Sequence, residues 1–426
     1  MIIESYRNKF SNREDFAAAE LWSYFMKTMA TYFQNSADKP LCYGEVEIDS
    51  RKRRRLRGEP ELEGVLCETA FVGFCGTDFE LMHMGMRGEL DKKFPEGRNR
   101  LINGHEGVVY VPSQQRFVVV LIRGVDSYDP TRFTEGETYF EYGCDGADGL
   151  FSDCNYYNPD MLLPIPDGYV KDGKISLEAA KKLVFSDPYA CMLFQLERME
   201  DLGEAQNFRV EMAKRKCGEV EARREAKHHI FDNVVIFGLG TTGMFIGDLI
   251  KRKYPHANIV FVARSPESSP KVRFALSVAP AKYVQSVGND KAALAKKITD
   301  ALGGKASLFI GTSGSSVEHE VALKYGVLGC NGIYNSFSLG PKISFDTMPF
   351  GFQNHLIFGS INFRQSHMEE AIGLLLKSRY NEIVSLIDRD EFTADPISAY
   401  NDIIYSKGAP LKTAVIWNKQ YIDSEN

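Results

Sequence analysis

The feature that most constrains the fold is residues 233–255, where an apolar strand, a glycine turn and a helix follow one another as NVVIFGLGTTGMFIGDLIKRKYP. The order then repeats, because ANIVFVARS predicts a second strand, KAALAKKITDAL a helix and ASLFIGTSGS a further strand. Strands that alternate with helices pair in parallel, since each helix returns the chain across one face of the sheet. This part of the chain is therefore predicted to be an α/β doubly wound parallel sheet.

The glycine turn has the spacing G-x-G-x-x-G at Gly238, Gly240 and Gly243. The first glycine permits a tight turn, the second lets a pyrophosphate approach the backbone, and the third lets helix and strand pack closely. The N-terminus of the helix offers free N–H groups to the phosphates. Between a strand and a helix, this spacing predicts a dinucleotide site. Further cofactor contacts are expected at Leu239, Thr241, Thr242, Thr312, Phe337 and Ser338.

The end of the second strand predicts which dinucleotide binds. An NAD site usually has an acidic residue there for the ribose 2′-hydroxyl. This chain has Ala263, Arg264 and Ser265, and its first carboxylate is Glu267. An arginine and a hydroxyl suit a 2′-phosphate, because the guanidinium is charged and donates paired hydrogen bonds. The sequence thus favours NADP, with NAD as the alternative.

Composition excludes several classes of function. The net charge of −6 gives no indication of nucleic-acid binding, and the basic run at 51–55 is followed by acidic residues and is interpreted as a solvated turn. None of the eight cysteines forms a CxxC pair, and no apolar run reaches the roughly 18 residues of a membrane span. The start MIIESYRNKF does not resemble a cleavable signal. A cytoplasmic protein with reduced thiols is expected.

Outside the parallel sheet, two other patterns appear. Residues 13–34 carry Leu21, Phe25, Met29 and Tyr32 at helical spacing, which predicts an amphipathic helix in an N-terminal extension, residues 1–39. From about 40 to 165, short apolar runs alternate with Gly, Pro and Asp, as in a barrel of antiparallel strands. The charged stretch 203–230 is interpreted as an exposed helix or a linker.

Two loop motifs carry residues that could bind a metal. Cys75 lies in FCGTDFE and His105 in NGHEGVV, each beside a glycine and a carboxylate. A catalytic zinc takes three protein ligands of this kind and keeps a fourth position open. The third ligand could be Glu106 or Asp187. Since adjacent residues of an extended strand point to opposite faces, we expect Asp187 as the resting ligand and Glu106 as a neighbouring or exchanging group.

The combination of CGTD, GHEG and GLGTTG resembles the zinc-dependent medium-chain dehydrogenase/reductase superfamily over about residues 40 to 420. The runs YFEYGCDGADGLFSD and GSINFRQSHMEEAIGLL are similar to its glucose dehydrogenase branch. The resemblance implies a GroES-like β-barrel catalytic domain, residues 40–190 and 355–426, interrupted by a Rossmann domain, residues 191–354.

The resemblance also implies roles for single residues. Cys75 and His105 match the family's zinc ligands, Glu106 the acidic residue after the histidine, and Asp187 a glutamate that many members carry before a proline. Thr77 matches the hydroxyl that relays the substrate proton. The positions that face sugar and nicotinamide in the sugar dehydrogenases correspond to Glu141 and Asn362. One catalytic zinc is expected and no structural zinc, since the segment after VVVLIRG has no cysteine before Cys144.

The implied activity is hydride transfer between a nicotinamide cofactor and an alcohol carbon of a small, polar, sugar-like substrate, in a homo-oligomer of two or four chains. Two alternatives remain. One is a zinc-free reductase of the same superfamily that acts on an activated double bond. The other is a non-catalytic nucleotide-binding protein on this scaffold.

Overall fold

The computed structural model describes residues 25–49, 63–95, 97–123, 140–338, 347–360, 363–405 and 411–424. Its strands are β1 Phe25–Gln34, β2 Leu41–Asp49, β3 Val65–Gly73, β4 Arg100–Ile102, β5 Glu106–Val111, β6 Arg116–Val120, β7 Glu141–Tyr142, β8 Gly146–Ala147, β9 Cys154–Tyr157, β10 Leu162–Pro164, β11 Val170–Lys171, β12 Lys174–Ser176, β13 Asn233–Phe237, β14 Asn258–Ala263, β15 Lys282–Gln285, β16 Ala306–Gly311, β17 Leu328–Ser336, β18 Leu356–Phe358, β19 Val384–Ile387, β20 Lys412–Ile416 and β21 Ile422–Asp423.

The α-helices are α1 Gly76–Met86, α2 Leu177–Leu183, α3 Ser186–Arg215, α4 Glu219–His229, α5 Thr241–Lys253, α6 Pro270–Val278, α7 Lys291–Leu302, α8 Ser316–His319, α9 Thr347–Phe352, α10 Gln365–Leu376, α11 Arg389–Ala394 and α12 Pro396–Tyr405. The chain divides into two compact units, of which the second runs from Pro188 to Ala371 and is inserted into the first. No helix within the described ranges is both long enough and apolar enough to cross a membrane.

The inserted unit contains a six-stranded sheet in the order β15-β14-β13-β16-β17-β18. Every neighbouring pair is parallel. From β13 the chain builds the sheet outward to one edge and then returns to build the other half, which is the Rossmann order. Val235, Val260 and Phe309 are fully buried, as expected of strands covered on both faces. The predicted Rossmann fold is confirmed.

The first unit is built mainly from antiparallel strands. Its largest sheet has the order β10-β6-β5-β3-β20-β19, with β9 also paired to β3. Strand β20 follows the insertion in sequence, yet it pairs with β3, which precedes the insertion. The two segments of this unit therefore share one sheet. The antiparallel strands agree with the short-strand pattern, and the domain is the GroES-like one that the family resemblance implied.

The helix predicted over residues 13–34 is wrong for residues 25–34. These residues form β1, which pairs antiparallel with β2 over its full length. Ala30 and Phe33 are completely buried in this hairpin. Threonine and aromatic residues favour strands, and the polar turn that follows allows the second strand to fold back. Residues 13–24 of that prediction, and the basic run at 51–55, lie outside the described residues.

The expected border of the Rossmann domain at residue 354 also differs from the structure, where the inserted unit continues to Ala371. The reason is β18, which pairs in parallel with β17 as the sixth strand of the sheet.

The charged stretch 203–230 is largely helical, within α3 and α4. Arg223 of α4 donates to Glu219 at 2.6 Å and to Glu204 at 3.2 Å, so the charge of this arginine is paired within α3 and α4.

Candidate metal centre and cofactor cavity

Pairing between β3 and β5 brings together the two loops that carry the candidate metal ligands. The strands are antiparallel, and Gly73 at the end of β3 lies opposite Glu106 at the start of β5. Cys75 follows β3 as the N-cap residue of α1, and His105 immediately precedes β5. The end of one strand and the start of its neighbour therefore place both side chains at the same edge of the sheet.

Cys75, His105 and Glu106 form a group whose ligand atoms all lie within 4.8 Å of one another. His105 and Glu106 are buried, and Cys75 is partly exposed. The buried Nδ1 of His105 has no hydrogen-bond partner among the residues that the structure describes. A thiolate, an imidazole and a carboxylate at this separation fit a zinc ion that keeps one position open.

Asp78, which the sequence analysis did not single out, ties the two loops together. Its carboxylate accepts hydrogen bonds from the backbone N–H groups of Cys75 at 3.0 Å and Gly104 at 3.2 Å. Burial raises the pKa of Asp78, while His105 and these two N–H groups act in the opposite direction. Its position three residues after the N-cap is that of a capping-box acid, and this is the sequence signal that could have identified it.

The cluster is strongly polarised. Burial alone would raise the pKa of the Cys75 thiol, but His105 and Lys412 outweigh it and lower the pKa. Burial alone would lower the pKa of His105, and the neighbouring Cys75 instead raises it to about 9. Lys412 of β20 contacts the Glu106 carboxylate, and burial lowers the pKa of this lysine to about 8. The sequence around Lys412 does not indicate this contact, because β20 is separated from Glu106 in sequence by the whole inserted unit.

The carboxylates of Asp187 and Glu141 are bridged by one guanidinium. Arg123 donates to Asp187 Oδ1 at 2.6 Å and lies 3.0 Å from Glu141 Oε1, and all three side chains are buried. Asp187 is not a member of the cysteine–histidine group, so the geometry does not follow the expectation that it is the resting ligand. His105 lies in the loop before β5, where the alternation of an extended strand does not apply, and Glu106 can therefore join it.

Of the other residues expected near this centre, Thr77 lies beside Cys75, and Asn362 is not described. The sulfur of Cys75 lies 3.6 Å from the Thr77 hydroxyl, which is partly buried in the first turn of α1. Asn362 lies outside the described residues, as do most of the residues from 123 to 143 on which the expectation of no structural zinc depends.

Substituting the two carboxylates separately should distinguish their roles. We expect Glu106→Gln to weaken zinc binding about 10- to 100-fold, since it replaces an anionic ligand with a neutral amide. Asp187→Asn is the matched control and should change zinc affinity less, because Asp187 bonds to Arg123. Competition with a chromophoric chelator measures both affinities. A larger loss in Asp187→Asn would restore the assignment made from sequence.

A cavity of about 660 Å³ lies in the inserted unit, at the glycine turn and the C-terminal ends of the strands. Gly238 has φ of +109°, and a Cβ there would lie 2.6 Å from the Thr312 hydroxyl. A Cβ on Gly243 would lie 2.0 Å from the carbonyl oxygen of Gly238. A Cβ on Gly240 would meet nothing within 4 Å, so the backbone is open there. The turn thus leaves room for a pyrophosphate at the start of α5.

One end of the cavity is cationic. Arg264 and Ser265 line it, and so does Lys271 from the first turn of α6. Burial and the charge of Arg264 both lower the pKa of Lys271. Two cations and a hydroxyl in one lining suit a 2′-phosphate better than a 2′-hydroxyl. The sequence analysis missed Lys271, although a lysine soon after the second strand could have suggested it.

Some of the remaining expected cofactor residues line the cavity, and the others do not. Leu239 and Thr312 line the cavity. Thr312 also donates to the Gly238 carbonyl at 2.9 Å, which ties the end of β16 to the glycine turn. Thr241, Thr242, Phe337 and Ser338 do not belong to the described lining of the cavity.

No family model matches the chain. It is 37% identical over 134 residues to a glucose 1-dehydrogenase of Halobacterium salinarum, covering 28% of this chain and 36% of that protein. It is 34% identical over 125 residues to the glucose 1-dehydrogenase of Haloferax mediterranei, covering 26% of this chain and 34% of that protein. The matched part thus spans about a third of the length of these curated relatives.

Solved structures match over nearly the whole chain. Glucose dehydrogenase from Haloferax mediterranei has a TM-score of 0.61 at 19% identity, covering 91% of this chain and 98% of that one. L-idonate 5-dehydrogenase from Escherichia coli has a TM-score of 0.61 at 16% identity, covering 92% and 98%. At these identities the likeness establishes the fold. The chain is thus similar in sequence to part of two glucose 1-dehydrogenases, and it has the fold of these solved dehydrogenases.

Proposed function

We propose that the protein is a zinc-dependent dehydrogenase that transfers a hydride between NADP and a secondary or hemiacetal alcohol of a sugar-like or polyol substrate. The observation that carries the proposal is the cluster of Cys75, His105 and Glu106 in a chain that also has a dinucleotide cavity. A zinc-free reductase would have no use for three converging ligands.

The comparisons support the substrate class. Two curated relatives are glucose 1-dehydrogenases, and one solved structure with this fold is a glucose dehydrogenase in complex with NADP, Zn and gluconolactone. In the present chain, Glu141 would provide a carboxylate partner for sugar hydroxyls, which an apolar alcohol lacks, and Arg123 would hold that carboxylate in place.

The residues of the metal centre have separate tasks in this proposal. Cys75 and His105 would hold the zinc, and Glu106 would complete the ligand set beside Lys412. A bound zinc supplies Lewis acidity, which lowers the pKa of a coordinated alcohol. Thr77 would relay the alcohol proton, because its hydroxyl would accept that proton while releasing its own toward the cofactor ribose and solvent. Asp78 keeps the cysteine and histidine loops at a fixed separation.

The cavity of the inserted unit would hold the cofactor. The backbone of the glycine turn would bind the pyrophosphate, and Arg264, Ser265 and Lys271 the 2′-phosphate. The chemistry of the hydride itself belongs to the nicotinamide, and the protein supplies binding and orientation.

A substrate screen tests the function directly. Wild-type protein purified with zinc should reduce NADP with at least one aldose or polyol, monitored at the absorbance of reduced nicotinamide. Simple aliphatic alcohols and activated alkenes serve as comparison substrates. Reduction of an alkene by a metal-free preparation would favour the zinc-free reductase, and NADPH binding with no turnover on any substrate would favour a non-catalytic protein.

Assembly into a dimer or tetramer is a further part of the proposal. Met348 and Phe352 of α9 are 64% and 79% exposed, and at four residues apart they share one helix face that an oligomer contact would cover. Sedimentation at micromolar concentration would show an oligomer, and a monomer would contradict the proposal.

We also propose that the protein functions in the cytoplasm. Its eight cysteines are all unpaired, and the proposed Cys75 ligand requires a free thiolate. Fractionation of the source cells with an antibody against the protein tests this location.

A further inference from the structure

A buried acidic residue in the inserted unit has no role in the reaction described above. Glu318 of α8 is 0% exposed. Its Oε2 accepts hydrogen bonds from the backbone N–H of Ser313 at 3.0 Å and from the Ser313 hydroxyl at 2.6 Å. Its Oε1 accepts from the Ser338 hydroxyl at 3.1 Å. One carboxylate therefore joins two loops that are separate in sequence.

The same loops have further contacts around this carboxylate. The backbone N–H of Gly314 donates to the Ser338 hydroxyl at 2.8 Å. Tyr334 of β17 lies with its hydroxyl 2.5 Å from His319 Nδ1, and it also hydrogen-bonds to Glu318. A Cβ on Gly311 would lie 2.7 Å from Glu318 Oε1, so the glycine at the end of β16 leaves the space that the carboxylate occupies.

The position of these loops in the sheet indicates what they serve. A Rossmann sheet consists of two mononucleotide-binding halves, and ligands bind beyond the carboxyl ends of the strands. The loops of Ser313 and Ser338 follow β16 and β17, in the second half, whereas Arg264 and Lys271 follow β14, in the first. Ser313 and Gly314 line the cofactor cavity directly.

We infer that Glu318 is a positioning residue that holds the β16 and β17 loops in the shape that binds the nicotinamide half of the cofactor. The inference rests on the proposed function and deepens it. Without the carboxylate, the Ser313 N–H and the two hydroxyls would lose their common acceptor, and the cavity wall at Ser313 and Gly314 would lose its anchor.

Binding of a whole and a half cofactor to the Glu318→Gln variant tests the inference. Titration calorimetry with NADPH should show affinity about tenfold weaker than that of the wild type. Adenosine 2′,5′-bisphosphate, which contains the 2′-phosphate end but lacks nicotinamide, should bind both proteins equally. A purely structural defect would weaken both ligands together.

Glu200→Gln is the matched control. Glu200 is also a buried carboxylate of the inserted unit, where it accepts from the Tyr254 hydroxyl at 2.8 Å, but it does not line the described cavity. This variant should melt at a lower temperature and bind NADPH as the wild type does. Should Glu318→Gln fail to fold, Ser313→Ala replaces it, with an expected loss of about threefold confined to NADPH.

The outcomes separate the two proposals. If Glu318→Gln and Ser313→Ala bind NADPH as tightly as the wild type, or weaken both ligands equally, the inference is wrong while the proposed function stands. If the wild type binds neither NADPH nor adenosine 2′,5′-bisphosphate, the proposed function fails and the inference with it.

Discussion

Replacing Cys75 by serine should remove the zinc from the protein and reduce dehydrogenase activity about a thousandfold, because a metal ion contributes several kcal/mol to stabilising developing charge. A serine hydroxyl is a poor substitute, since zinc binds a thiolate and the hydroxyl stays protonated. His105→Ala should have the same effect. Elemental analysis should find about one zinc ion per wild-type chain and much less in either variant.

Cys42→Ser is the control for the thiol substitution. Cys42 lies in the same unit and is also partly exposed, but it belongs to β2 and not to the metal cluster. It should retain both zinc and activity. The inserted unit of the Cys75→Ser and His105→Ala variants should still bind NADPH, which would show that the loss is local. Two zinc ions per wild-type chain would contradict the expectation of no structural site, and full activity in Cys75→Ser would contradict the catalytic one.

Replacing Arg264 by alanine should weaken NADP binding about 10- to 100-fold and leave NAD binding nearly unchanged. A charged hydrogen bond to phosphate contributes roughly 1.5–3 kcal/mol of binding free energy. NAD has no 2′-phosphate, so it does not make this bond and its affinity should not change. Lys271→Ala should also weaken NADP binding, because Lys271 lines the same cavity as Arg264. Fluorescence titration with NADPH and NADH measures both affinities of the wild type and of each variant.

Arg273→Ala is the matched control for this pair. Arg273 is an exposed arginine on α6, within two residues of Lys271, but it is not part of the described cavity lining. It should leave both cofactor affinities unchanged. A wild type that prefers NAD, or an Arg264→Ala variant that loses both cofactors equally, would show that the cationic end does not select the 2′-phosphate.

The sequence predicted the Rossmann unit more accurately than the N-terminal segment, and the two patterns explain the difference. In residues 233–311, strands and helices have distinct periods, and glycines mark the turn between β13 and α5. In residues 25–34, the apolar side chains fit a helical stripe, but Thr28, Thr31 and Tyr32 also suit a strand. These residues form a strand because β2 provides a hydrogen-bonding partner along the whole segment.

The sequence by itself determined the chemical types at the two candidate sites: a cysteine and a histidine beside glycines, a glycine turn with the spacing of a dinucleotide site, and an arginine in place of an acid. These are local signals, because each depends on residues close together in the chain. Tertiary structure decided which carboxylate lies beside the cysteine and the histidine. Pairing of β3 with β5 placed Glu106 beside Cys75, Arg123 bound Asp187, and β20 brought Lys412 from beyond the insertion. Such contacts depend on strand register and buried charge pairing, which no local pattern encodes.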